Sequence, residues 1–165
     1  MPYEQEAKVY QFLQAYGEML LADIPDEQAF KPICEGGVSP AWIIGHLGFV
    51  AERVLAMGGG EPSIDFDANK PLFGGGSTPR GPADREIYPA WDELLAIWRN
   101  GHKKVVALLP SLTPELLSAE NPNERMRGAL PTVGDLFSFI LTGHEAMHLG
   151  QLSTWRRVQG RPPLF

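Results

Sequence analysis

An all-α protein, a four-helix bundle with long crossover loops, is what this sequence predicts, and three observations carry it. Four segments repeat apolar residues at the three- and four-residue spacing of an α-helix. No segment alternates apolar and polar residues convincingly as a half-buried strand would. Two connections, 58–88 and 117–131, are too long for plain helix–helix turns. The 165 residues fit one domain, 1–165, with no internal repeat and no break in composition.

The first helix is expected from about Glu4 to Ala22, with an apolar stripe of Val9, Phe12, Leu13, Tyr16, Leu20 and Leu21. It stops at Asp23-Ile24-Pro25, because proline blocks continuation. The second begins at Ser39-Pro40, a hydroxyl cap followed by proline at the first helical position, and runs to Gly58-Gly59-Gly60. A third starts near Pro89 and ends before Pro110. Gly101 in its middle costs up to about 1 kcal/mol relative to Ala, which close helix packing or a slight bend explains. A short turn is expected at 113–117. The fourth long helix opens at Thr132, with Asp135 making a near match to a capping box, and ends before Gly160. Phe66, Leu72 and Phe73 are apolar anchors that should hold the 58–88 loop ordered across the bundle.

Composition narrows the function classes. Apolar residues are 44% and charged residues 21%, ordinary for a soluble globular protein. A net charge of −6 argues against a nucleic-acid partner, which favours a basic face. The one basic cluster, Arg156-Arg157 with Arg161, reads as a partner for a helix C-terminal dipole. The N-terminus lacks the basic start and apolar run of a signal peptide, and no stretch reaches the ~18 apolar residues of a membrane helix. The single cysteine, Cys34, cannot form an internal disulfide and reads as a small loop or core residue. A cytoplasmic location is the resulting expectation.

The most informative stretch is Gly143-His144-Glu145-Ala146-Met147-His148. Positions i and i+4 share a helix face, about 5–6 Å apart between Cβ atoms, so both imidazoles can reach one ion. The His-Glu-x-x-His pattern also occurs in zinc proteases, whose third ligand lies downstream. Here residues 149–165 contain no His, Asp, Glu or Cys, so a third ligand must come from upstream. His46 is the natural one, mid-helix in an apolar run where an uncompensated polar ring costs a few kcal/mol. Taken alone, each histidine reads more simply as a hydrogen-bonded core residue; the three together favour a metal. Three imidazoles with open positions suit a catalytic rather than a closed structural site. Gly45 and Gly143, each preceding a histidine, would let two backbones approach. His102, followed by Lys103-Lys104, is assigned to the surface. Glu145 lies ~100° around the helix from His144 and is expected to pair with charge near Arg156 or on another helix rather than act as a general base. Gln151 shares the face of His148 and can orient a ligand or water, or simply pack. The four tryptophans read as core.

The segments SPAWIIGHLGFVAERV and TVGDLFSFILTGHEAMHLGQLSTWRRVQGRPPLF closely resemble the corresponding helices of the DinB-like (DinB/YfiT) superfamily. The likeness extends over the chain in helix order and length. Its specific part is the spaced His, then His-x-x-x-His-x-x-Gln, Thr-Trp-Arg-Arg and the closing Gly-Arg-Pro-Pro. The resemblance implies a four-helix bundle in which His46, His144 and His148 bind a divalent metal, often zinc or nickel, and a homodimer formed through bundle helices. It also implies kinship with thiol-dependent S-transferases and a mycothiol-dependent maleylpyruvate isomerase, in which the metal activates a low-molecular-weight thiol.

The expected function is therefore a metal-dependent thiol S-transferase acting on a small electrophile, with the 58–88 loop shaping the pocket. The alternatives are a metal-dependent hydrolase assisted by Glu145 or Gln151, and a non-catalytic metal-binding stress-response dimer. No motif identifies the thiol, the substrate or the metal.

Overall fold

Helix signals in the sequence translate almost directly into elements. The computed structural model describes residues 3–79 and 82–164, apart from the side chains of Pro82 and Asp84. It contains α1 (Glu4–Leu21), α2 (Asp26–Ala29), α3 (Pro40–Met57), α4 (Phe66–Phe73), α5 (Trp91–Leu108), α6 (Pro114–Ser118), α7 (Val133–Phe139) and α8 (Glu145–Val158). A π-helical turn, Ile140–His144, joins α7 to α8 without a break. The fold is all-α, and among the described residues the one β feature is an isolated bridge between Glu120 and Thr132. No described helix is long and apolar enough to cross a membrane.

Capping works as the residues dictate. Ser39 Oγ accepts from Trp42 N at 3.2 Å at the start of α3, with Pro40 at its first position. Thr132 Oγ1 accepts from Asp135 N at 3.1 Å while Asp135 Oδ2 accepts from Thr132 N at 3.0 Å, so aspartate completes the box. The Thr132 hydroxyl, which donates to Asp135 Oδ2 at 2.6 Å, and then the Thr132 backbone N–H hold the Asp135 carboxyl below its usual range.

α3 packs chiefly on α5, and α8 packs on both α1 and α3. Glycines set how closely they approach. A Cβ on Gly48 would stand 3.2 Å from Trp98 N, and one on Gly101 3.0 Å from Ala51 Cβ, so Gly101 serves close packing. In α1 the buried face is Tyr10, Leu13, Gly17, Leu20 and Leu21. Val9 and Phe12, expected in that stripe, are 43% and 61% exposed. The face is rotated because Gly17 belongs to it: its missing side chain admits the Trp98 ring, to which a Cβ would stand at 2.8 Å. All four tryptophans are buried, and Cys34 is exposed.

The long connections are ordered. Asp65 caps α4, and Phe73 at the end of α4 is buried in the core, with Phe66 and Leu72 packed against it. The 117–131 segment folds around buried Asn121, whose Nδ2 donates to Leu130 O at 2.7 Å and whose Oδ1 accepts from Asn123 N at 2.8 Å.

The arginine cluster acts differently from the dipole reading. Arg156 is buried, donates to Leu20 O at 2.7 Å and pairs with Asp23. Arg161 donates to Asp23 O at 2.8 Å. Leu20 O belongs to the last turn of α1, where helix carbonyls lack intrahelical partners, and Asp23 lies just beyond it. These side chains therefore tie α8 to the end of α1 instead of serving α8 alone.

Candidate metal centre

His46 stands on α3, His144 closes the π-helical turn, and His148 lies on α8. One ring nitrogen from each lies within 4.8 Å of the other two. His46 Nε2 and His144 Nε2 are 3.0 Å apart. Two nitrogens each about 2.0 Å from one tetrahedral ion would be roughly 3.3 Å apart, so this spacing suits a shared cation.

The outer hydrogen bonds decide which nitrogens are available. His46 Nδ1 faces Phe73 O at 2.6 Å and must donate to it, leaving the Nε2 lone pair turned to the centre. His148 Nδ1 donates to Gln151 Oε1 at 2.9 Å, with the same consequence. His144 Nδ1 is buried without a partner. If His144 Nε2 carries the proton between the two 3.0 Å nitrogens, His144 Nδ1 becomes an orphaned acceptor. A cation would take the lone pairs of all three rings, so the donor set fits a divalent metal of the kind imidazole favours. Burial, the largest cause, lowers the His46 pKa to about 4 and the His144 pKa to about 3, and lowers His148 as well. The rings are thus neutral and able to ligate near neutral pH.

Local packing fixes His46 from both sides. Trp42, one turn earlier, stacks on its ring with centroids 4.9 Å apart and planes 4° from parallel. Trp42 Nε1 donates to Ser77 Oγ at 3.2 Å, joining the stack to the 58–88 loop. Gly45 makes room for the loop: a Cβ there would stand 2.2 Å from Phe73 Cε1. Its role is to admit Phe73, whose carbonyl orients His46, rather than to bring two helices together. A Cβ on Gly143 would meet only Phe139 of the same helical tract, at 3.3 Å.

His102 is not on the surface. It is fully buried, with Nδ1 2.8 Å from Trp98 O and Nε2 2.9 Å from Glu145 Oε1. Tyr10 stacks on the ring at 4.5 Å, and burial followed by the nearby Glu145 charge pushes its hydroxyl pKa well up. The signal was in the spacing: Trp98, His102 and Val105 follow the i, i+4, i+7 core stripe of α5, and the two lysines beside His102 masked it. Glu145 is buried too, and its partner is on another helix rather than near Arg156. Its carboxylate is engaged by His102 of α5, unlike the general base of a zinc protease, although its charge still acts on His46 and His148.

Two of the three histidines, His46 and His144, open on a cleft of about 740 Å³, within the range of small-molecule sites. Trp42, His46 and His144 form part of its wall, Phe49, Val50, Phe139 and Ile140 supply apolar surface, and Gly74–Ser77 of the long loop forms one edge.

The class that fold and site define is an all-α protein with three histidines close enough together that they could hold one metal ion. The DinB superfamily model matches residues 10–152, and the chain belongs to that superfamily. No curated protein matches the chain.

Proposed function

We propose that this protein binds a divalent metal, zinc or nickel, through His46, His144 and His148, and that it is a thiol S-transferase acting on a small electrophile. The observation that supports it is a set of neutral imidazoles, two with their Nε2 lone pairs directed inward by hydrogen bonds, beside a cleft large enough for substrate. A metal bound there would lower the pKa of a coordinated thiol and hold it as thiolate. Phe73 O and Gln151 keep two rings aimed, and Trp42 excludes water from one face of His46. The apolar walls seat the electrophile next to the thiol and keep competing water away.

Hydrolysis is the weaker reading, because Glu145 is engaged with His102 and Gln151 with His148, leaving no free general base beside the triad among these candidates. A purely structural metal is disfavoured by the adjoining cleft. A homodimer belongs to the same proposal, and the exposed Val9, Phe12 and Met19 of α1 offer apolar surface for it.

The test is metal content by inductively coupled plasma mass spectrometry on untagged protein, beside a His144→Ala/His148→Ala variant, followed by turnover of electrophiles with and without low-molecular-weight thiols. About one metal per chain, lost in the variant, with thiol-dependent turnover is expected. A wild type that takes up neither zinc nor nickel sinks the proposal. Thiol-independent hydrolysis would replace transfer with the second reading.

A further inference from the structure

The cleft beside the triad carries charge of predominantly one sign. Arg53, Lys70 and Arg125 line it against a single carboxylate, Glu124, in a chain whose net charge is −6. Elsewhere Arg85, Arg99, Arg127, Arg156 and Arg161 each face a carboxylate, while Arg157, exposed on α8 and outside the cleft lining, has no ion pair among the described residues. Among the described residues, Arg53, Lys70 and Arg125 have no ion pair or side-chain hydrogen bond. Unpaired cations on an acidic protein, gathered at the mouth of one apolar cleft, are a recognition feature for an anion.

Their placement gives the ligand a shape. Arg53 is seven residues beyond His46 on α3, hence two turns and about 10 Å along the same face. Val50 lies between them on that face, and Phe139 and Ile140 contribute apolar wall. Arg125 also lines the cleft, where it borders the long loop: its Nη1 is 3.7 Å from where a Gly76 Cβ would stand. The φ of +88° at Gly76 bends the loop there as only glycine does readily.

We infer that the cleft binds an amphipathic small-molecule anion, with a carboxylate or phosphate held by Arg53 and Arg125, an apolar body about 10 Å long against Val50 and Phe139, and the opposite end at the histidines. Guanidinium groups suit this task because their planar forks match both anions, and apolar walls strengthen the attraction. This deepens the proposed function and rests on it only for the statement that the ligand's other end is the reacting one.

Isothermal titration calorimetry tests it with three probes of similar length: 4-phenylbutyrate, phenethyl phosphate and the neutral 4-phenylbutyramide. Wild type, Arg53→Gln/Arg125→Gln and His144→Ala/His148→Ala are compared at low and high salt, with circular dichroism as the folding check. At least one anion should bind about ten-fold or more tighter than the amide, as expected for a charge-assisted hydrogen bond. Added salt should weaken that preference, the arginine variant should abolish it, and the histidine variant should retain it. Whichever anion binds tighter identifies the head group. Equal affinity for the amide, no binding of any probe, or a preference that survives the arginine variant overturns the inference. A preference lost only in the histidine variant also overturns it, since the anion would then be a metal ligand. Metal-free wild type with the anion preference intact would instead refute the proposed function alone.

Discussion

At the scale of single residues, two of the three imidazoles of the triad are governed by what touches their other nitrogen. Phe73 O fixes the His46 tautomer and Gln151 that of His148, while His144 Nδ1 is buried with no such partner. Burial depresses the pKa values to about 4 for His46 and about 3 for His144, from an ordinary ~6.5. As pH falls below about 6.5 the unfolded chain takes up protons that these folded rings refuse. Stability from keeping them neutral is therefore complete above that pH and drains as pH drops toward 4 and then 3. The slope is up to about 1.4 kcal/mol per pH unit for each ring, less where water reaches it. Urea unfolding of metal-free protein should show its midpoint falling from pH 6.5 to 4, with a flatter profile in His46→Gln/His144→Gln. A flat wild-type profile across that window would contradict the burial.

At the scale of elements, α5 and α8 are joined by a buried polar contact that the site depends on. Glu145 follows His144 directly, so its bond to His102 anchors the turn that carries His144. Removing one partner strands the other away from water, and His102→Leu should cost about 3–5 kcal/mol by urea unfolding. The double variant His102→Leu/Glu145→Leu should recover part of that loss; a double variant worse than the sum would disprove mutual compensation. The π-helical turn adds a residue to one turn of the tract before α8, a local widening often found at functional sites. Between α3 and α4 the decisive contact is Phe73 over Gly45. Gly45→Ala should cost about 1–3 kcal/mol through overpacking, offset by up to about 1 kcal/mol of helix propensity. Because the same displacement moves Phe73 O from His46, metal affinity should drop along with stability. Gly143→Ala, which meets only Phe139, should cost less; calorimetry with zinc on both variants makes the comparison.

At the scale of the whole molecule, the centre draws on α3 and on the last helical tract, elements distant in sequence. An ion bridging them, as proposed, would bind the folded chain in preference to the unfolded one. At a free metal concentration 100-fold above Kd this is worth about 2.7 kcal/mol. Chelation should then lower Tm by about 5–10 °C for a chain of this size, and the drop should vanish in His144→Ala/His148→Ala. An unchanged wild-type Tm on chelation would mean that no bound ion contributes to folding. Light scattering on a sizing column addresses the homodimer, with a monomer at micromolar concentration as the refuting result.

Local chemistry was enough to read the helices from the sequence: Ser39-Pro40 and Thr132 with Asp135 start two of them through bonds made within one turn, and Pro25 and Pro110 stop two others. The i, i+4 spacing of His144 and His148 placed two ring nitrogens near each other for the same reason. Properties that depend on contacts between distant segments were less accessible. Burial of His102 was encoded in the α5 stripe but obscured by Lys103 and Lys104, and its partner lies 43 residues away. The one-residue turn of the α1 face follows from Trp98 entering the space at Gly17, which no periodicity within α1 reveals. Arg156 looked like a dipole partner until the end of α1 was placed beside it. The sequence by itself determined the helices, their caps and the three histidines, because those rest on hydrogen bonds and spacings within a few residues. Only the tertiary structure decided which nitrogens face inward, where Glu145 points and how the unpaired cations gather at one cleft, because each of these is set by packing between segments far apart in the chain.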